Sequence, residues 1–267
     1  MANNAPIGVF DSGIGGLTVV KEIIKLMPNE DIVYFGDTGR TPYGPRPVEQ
    51  ITEFTNQILD FLNGQGIKLA VMACNTITMW TLEQACSRYN FPIVGMNTGE
   101  QLALTVTKNK NIGIAATRAT INSGKHAARI KATDASANVF SQACPLLCTM
   151  VEREVVAGAE ADAACRECFL PIKEAGVDTI VLACTHYPFL VAPIKNILGP
   201  DITIIDPAEQ TARDAYDTLK KLDLLASGDQ QAVRRFCFSA DPARAKRLAE
   251  RIINVPLADF EQVDILK

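Results

Sequence analysis

Short, unbroken apolar runs alternate with longer segments of helical period along most of this chain. Ile7–Phe10, Ile32–Phe35, Leu69–Ala73, Ile93–Gly95, Asn111–Ala115, Thr179–Ala183 and Ile202–Ile205 read as strands. Between them, Leu17–Met27, Val48–Asn63, Thr78–Tyr89, Ile121–Lys131, Ala161–Glu174 and Ala208–Leu225 carry the helical pattern. A strand covered on both faces needs apolar side chains at every position, so these runs predict mainly parallel sheets flanked by helices, an α/β fold with right-handed crossovers.

The pattern repeats. Gly66-Ile-Lys-Leu-Ala-Val-Met-Ala-Cys74-Asn-Thr76 resembles Gly176-Val-Asp-Thr-Ile-Val-Leu-Ala-Cys184-Thr-His186, an offset of 184 − 74 = 110 residues. A weaker pair, Ile7-Gly8-Val9 and Ile112-Gly113-Ile114, is offset by 112 − 7 = 105. Two pseudo-symmetric α/β domains follow: residues 1–98 with 208–267, and residues 99–207. The first boundary falls near Asn97–Glu100 and the return near Asp206–Pro207, with a mostly helical final segment packing back on the first domain. Ligands of open α/β sheets bind beyond the carboxyl ends of strands. Each domain therefore contributes one strand-end cysteine, and the expected active site lies in a cleft between the two.

Composition narrows the possibilities. The 267 residues are 48% hydrophobic, enough for a well-buried core, and the net charge of −4 leaves no basic footprint for nucleic acid. Arg244–Arg251 is locally basic and reads as a solvated helix face. No apolar run reaches the roughly 18 residues of a membrane span, and no targeting segment is visible, so a cytoplasmic address is expected. The eight cysteines then read as reduced thiols. Cys86, Cys144, Cys148 and Cys237, among apolar neighbours, are expected to be inert core residues. Cys165-Arg-Glu-Cys168 has CxxC spacing but lies in a helical stretch without the further ligands a zinc site would need, so no metal is expected.

Four loops carry candidate chemistry. Asp11-Ser12-Gly13-Ile14-Gly15-Gly16-Leu17-Thr18 follows a strand and opens a helix, but Thr18 breaks the dinucleotide fingerprint. It reads equally as a tight turn capped by Ser12 or as an anion cradle. Asp11 favours a ligand with a cationic group as well, as in an amino acid. Asp37-Thr38-Gly39-Arg40-Thr41-Pro42-Tyr43-Gly44 is a turn whose Tyr43 and Gly44 could line a site. Cys74-Asn75-Thr76 and Cys184-Thr185-His186 each place small polar residues after the cysteine, with a helix N-terminus expected next. Such a setting lowers a thiol from about 8.5 toward neutrality. Two-base racemisation needs one thiol to remove the Cα proton while the other delivers a proton to the opposite face. His186, two residues from Cys184, is a candidate helper; His126, in a helical pattern, is given no role.

Taken in order, Ile7–Val19, Asp37 with Pro42-Tyr43-Gly44, Ala73–Thr76 and Leu182-Ala-Cys-Thr-His-Tyr-Pro188 resemble the bacterial glutamate racemases of the aspartate/glutamate racemase superfamily. The resemblance runs from about residue 7 to about residue 210. It implies cofactor-independent interconversion of L- and D-glutamate, without pyridoxal phosphate or metal, supplying D-glutamate for peptidoglycan. It makes Cys74 the acid/base for D-glutamate and Cys184 that for L-glutamate, assisted by Asp11 and His186. Asp11, Ser12, Tyr43, Gly44, Asn75, Thr76, Thr185 and His186 match substrate-binding positions, Thr117 and Thr120 a loop near the substrate, and Glu152 a further carboxylate of the cleft. The stretch Leu147-Cys-Thr-Met before Glu152 departs from the family pattern. Assembly varies in the family, and a homodimer is among the states allowed. The rivals are an aspartate racemase or a cysteine hydrolase built on Cys184 and His186, and, outside enzymes, an amino-acid-binding or thiol-redox protein. A hydrolase or a binder gives no reason for the repeated Cys74.

Overall fold

The computed structural model describes residues 3–228, 231–251, 253 and 259–265. Contacts divide the chain into Met1–Asn97 with Ala208–Lys267, and Thr98–Pro207.

The first unit runs β1 (Ile7–Asp11), α1 (Leu17–Leu26), β2 (Ile32–Gly36), α2 (Val48–Gly64), β3 (Leu69–Met72), α3 (Asn75–Arg88) and β4 (Ile93–Gly95). The second holds α4 (Glu100–Val106), β5 (Asn111–Ala116), α5 (Arg118–Asn122), α6 (Lys125–Thr133), β6 (Asn138–Ala143), α7 (Pro145–Glu152), α8 (Ala159–Glu174), β7 (Thr179–Ala183), a 3-10 turn (Tyr187–Leu190), α9 (Val191–Leu198) and β8 (Thr203–Ile205). The chain then returns to the first unit with α10 (Ala208–Lys221), β9 (Arg234–Phe238), α11 (Pro242–Ala249) and β10 (Phe260–Gln262). Among the described residues no helix is long and apolar enough to cross a membrane.

Every strand pairing in both sheets is parallel. The first sheet has the order β10-β9-β2-β1-β3-β4, the second β6-β5-β7-β8. The shared part matches strand for strand: β1, β2, β3 and β4 correspond to β5, β6, β7 and β8. In each sheet the first strand sends one neighbour to its left and the next to its right. The topological switch point therefore lies between β1 and β3 in one unit and between β5 and β7 in the other.

Burial explains which elements formed. β1, β2, β3 and β7 are buried at every position, as their apolar runs require. On one face of the first sheet Phe10, Val33, Phe35, Ala70 and Met72 join Ile51, Ile58 and Leu62 of α2 in one cluster. Burying each such aliphatic side chain contributes about 1.5–3 kcal/mol. In the second sheet Ile112, Ile114, Ala116, Val181 and Ala183 meet Ala103 of α4 and Ile130 of α6.

Three expectations need correction. The final segment is not mostly helical: β9 extends the first sheet beyond β2, and β10 pairs with β9. Arg234 and Arg235 begin β9 and mask its apolar end, while Phe260 of β10 stacks on Phe236 at 4.8 Å and on Phe238 at 5.7 Å. The expected helix Ile121–Lys131 is two helices, because Gly124 takes φ 66 and ends the first turn of chain there. Cys86 is exposed on α3 and is not a core residue.

Candidate active site

The switch-point geometry puts the sequence motifs at strand ends. Phe10 pairs with Met72 across β1 and β3, and the Ala73 N–H donates to the Phe10 carbonyl at 2.8 Å. One step further, the Ser12 hydroxyl and the Cys74 sulfur come to 3.6 Å. Asp11, wholly buried, closes its own turn by accepting the Gly13 N–H at 2.7 Å. The loop can fold this tightly because Gly16 has no side chain: a Cβ there would lie 2.7 Å from the Asp11 Cβ and 3.0 Å from the Ala73 Cβ. Tyr34 holds the loop from below, its hydroxyl donating to the Gly13 carbonyl at 2.8 Å.

Cys74 is the N-cap residue of α3, with extended backbone, and its carbonyl accepts the Thr78 N–H at 2.9 Å. A helix N-terminus favours an anion beside it. Asn75 and Thr76 occupy the first turn of α3, both buried. The Asn75 amide is only 2% exposed, and neither its nitrogen nor its oxygen meets a protein partner. A buried amide left so costs about 1–3 kcal/mol and calls for a partner from outside the protein chain.

Tyr43 shares the buried cluster with Cys74, but its hydroxyl is spent on Asp37. Burial and then the Asp37 carboxylate raise this phenol well above its usual range, so it stays a donor. Asp37 is further held by Arg40 at 2.6 Å and by the Ser239 hydroxyl at 2.7 Å. Gly44 follows in the turn, half-buried.

The second unit repeats the plan with different neighbours. Ala116 pairs with Ala183, so Thr117 and Cys184 leave adjacent strands together. Thr117 caps α5: its hydroxyl accepts the Thr120 N–H at 3.3 Å and lies 3.0 Å from the Thr120 hydroxyl. After Cys184 the chain turns through Thr185 and His186, both buried, into the 3-10 turn, and α9 starts only at Val191. The helix N-terminus expected directly after Cys184 is therefore displaced. Pro188 stands in the first turn of that 3-10 segment, where its missing N–H costs nothing.

What Cys184 meets instead is an imidazole. Its sulfur lies 3.9 Å from His186 Nδ1, and His186 Nε2 lies 2.8 Å from Glu152 Oε1. Burial, and then the sulfur of Cys148 at 3.3 Å, push the Cys184 thiol well above its ordinary value, against the lowering that the sequence alone suggested. Burial would lower His186, but Cys184 and Glu152 outweigh it and hold the imidazole well above its ordinary value. His126, by contrast, is pushed down to about 4 by burial and stays neutral.

The structure thus brings together Asp11, Ser12, Cys74, Asn75 and Thr76 in one group, and Cys184, Thr185, His186 and Glu152 in another, beside Thr117 and Thr120. The contact that sequence reasoning missed is Cys148. Its position four residues before Glu152 on one helix face was the available signal.

Residues 7–215 match the family model described as Asp/Glu/Hydantoin racemase. The glutamate racemase of Corynebacterium diphtheriae is 40% identical over 261 residues, covering 97% of this chain and 98% of that one. Among solved structures, glutamate racemase isoform RacE1 of Bacillus anthracis superposes with a TM-score of 0.90 at 37% identity, covering 98% of each chain. The glutamate racemase of Francisella tularensis, in complex with D-glutamate, gives 0.88 at 33% identity, again covering 98% of each. The chain belongs to the Asp/Glu/Hydantoin racemase family and, within it, to the glutamate racemases, which are isomerases.

Proposed function

We propose that this enzyme interconverts L- and D-glutamate by two-base proton transfer between Cys74 and Cys184, without pyridoxal phosphate or a catalytic metal. One observation carries the reading: the two cysteines stand at the same switch-point position of two sheets with the same core topology. A pure binding protein has no use for that duplication. Racemisation does, because one carbon must be addressed from opposite faces.

In this reading Cys184 takes the Cα proton of L-glutamate and Cys74 returns one to the other face; the roles reverse for D-glutamate. The buried Cys184 rests as the thiol, ready to donate, and the His186 imidazolium, oriented by Glu152, stabilises its thiolate when it must act as base. Asp11 assists Cys74 from the loop that holds Ser12. Asn75 offers its unpartnered amide to the substrate, with Ser12, Thr76, Thr117, Thr120, Thr185 and the Tyr43-Gly44 backbone as further binding groups. That the Francisella relative was solved with D-glutamate supports this substrate. The product serves peptidoglycan synthesis in the cytoplasm, a role that restored growth of a D-glutamate auxotroph would test.

The decisive experiment separates the thiols. Cys74→Ser and Cys184→Ser should each cripple racemisation, since a hydroxyl is a far poorer acid or base near neutrality. A glutamate analogue with a β-leaving group needs only Cα deprotonation. Cys74→Ser should still eliminate from the L-analogue and Cys184→Ser from the D-analogue. Equal loss of both eliminations in both variants would exclude the two-base assignment, and full racemase activity in both would make the cysteines structural.

A further inference from the structure

Cys148 has no part in the proposed reaction, yet its sulfur lies 3.3 Å from that of Cys184. With His186 it completes a set of three buried donors, Cys148 Sγ, Cys184 Sγ and a His186 ring nitrogen, all within 4.8 Å of one another. We propose that these three side chains form an inhibitory site for a thiophilic divalent cation, with zinc(II) as the type.

The geometry fits. A tetrahedral zinc with bonds of about 2.3 Å to sulfur and 2.0–2.1 Å to nitrogen holds its sulfurs about 3.8 Å apart and a sulfur and nitrogen about 3.6 Å apart. The observed Sγ–Sγ distance is 3.3 Å and the Cys184 Sγ–His186 Nδ1 distance 3.9 Å, each within about half an ångström of those values, and the third pair lies within 4.8 Å. The outer layer fits as well. A ligating histidine usually gives its other ring N–H to a carboxylate, which fixes the ring. His186 does so, with Nε2 at 2.8 Å from Glu152 Oε1, leaving Nδ1 for the metal.

Two elements prearrange the set. Cys148 and Glu152 stand four residues apart on α7, and Cys184 and His186 two apart in the turn after β7. Sulfur and imidazole select zinc, cadmium or cobalt(II) and reject magnesium and calcium, which want oxygen. Binding displaces to solvent the two thiol protons and the proton on His186 Nδ1, so that the ring ligates as neutral imidazole and the charge of two thiolates balances that of the cation. The fourth position remains for water or for a carboxylate. A cation here removes both Cys184 and its helper from proton transfer. This consequence rests on the two-thiol reading; the binding itself does not.

The test uses the full-length enzyme in a phosphine reductant. Titration with cobalt(II) should reach one ion per chain, with thiolate-to-cobalt charge-transfer absorption and tetrahedral ligand-field bands. X-ray absorption of the zinc-loaded enzyme should report two sulfurs with nitrogen or oxygen completing the shell. Cys148→Ala should lose the charge-transfer band and still racemise glutamate, with inhibition by zinc largely relieved. Glu152→Gln should weaken cobalt binding about 10–100-fold. In the parent enzyme a chelator should restore activity lost to zinc. Absence of the band, a shell without two sulfurs, or equal affinity in Cys148→Ala would overturn the site. Should Cys148→Ala fail to fold, the X-ray absorption of the parent decides. A chain that binds cobalt as described but racemises nothing would refute the reaction and leave the site standing.

Discussion

His186 touches Cys184 with one nitrogen and Glu152 with the other, so a single ring links a thiol to a buried carboxylate. Cys74 stands at the first turn of α3 beside the Ser12 hydroxyl. Under the proposed reaction the two thiols would be activated by different means, and a variant should expose the difference. His186→Asn should lower kcat by about 10² to 10⁴, the usual worth of a proton-transfer partner. Enantiomers have equal free energy, so kcat/KM stays equal in the two directions for any variant and cannot reveal which thiol has suffered. The Cα-deuterium isotope effect can. If Cys184 is the base for L-glutamate as proposed, its abstraction step becomes more rate-limiting, so the effect on deuterated L-glutamate should grow while that on D-glutamate shrinks. Isotope effects that moved together would mean His186 serves both faces. At this scale the sequence identified Cys74, Cys184 and His186 but not Cys148, because its partner lies 36 residues away and only folding makes them neighbours.

The strand ends, more than the helices, decide where chemistry can occur. β1, β3, β5 and β7 were legible as apolar runs because each is flanked on both sides in its sheet. β6 was not, since it is an edge strand with Asn138, Ser141 and Gln142 partly or fully exposed. At the opposite ends of β5 and β7 from the site, Asp178 ties the α4–β5 loop down. It accepts the Thr107 hydroxyl at 2.6 Å and the N–H groups of Lys108 and Asn109 at 2.6 and 2.8 Å. Burial opposes ionisation of Asp178, but these bonds win and lower its pKa. A lowered carboxyl stabilises the fold at pH values above its unfolded pKa and loses that contribution as pH falls through the folded value. Asp178→Asn should therefore cost about 1 kcal/mol or less near neutral pH, because solvent screens this partly exposed carboxyl. In urea melts the gap between variant and parent should close as pH drops below about 4, where the unfolded carboxyl protonates. A gap independent of pH would assign the loss to packing.

For the molecule as a whole, the proposed two-thiol reaction requires that the hydrogen leaving Cα and the one arriving belong to different thiols, each in exchange with water. In D₂O, therefore, either enantiomer should yield a product carrying solvent deuterium at Cα from the first turnover, as mass spectrometry of the separated enantiomers would show. Product that kept the substrate's own hydrogen would indicate a single base. The parallel α/β class, the repeat at 110 residues and the strand-end cysteines were legible before folding was known, because buried strands and tight loops impose local rules of composition that can be read in order along the chain. Folding alone settled that β9 and β10 extend one sheet, that a 3-10 turn separates Cys184 from α9, and that Cys148 and Glu152 converge on Cys184 and His186. Those outcomes depend on pairings between distant segments, and no local pattern encodes the partner of an arginine-led strand or the neighbour of a buried thiol.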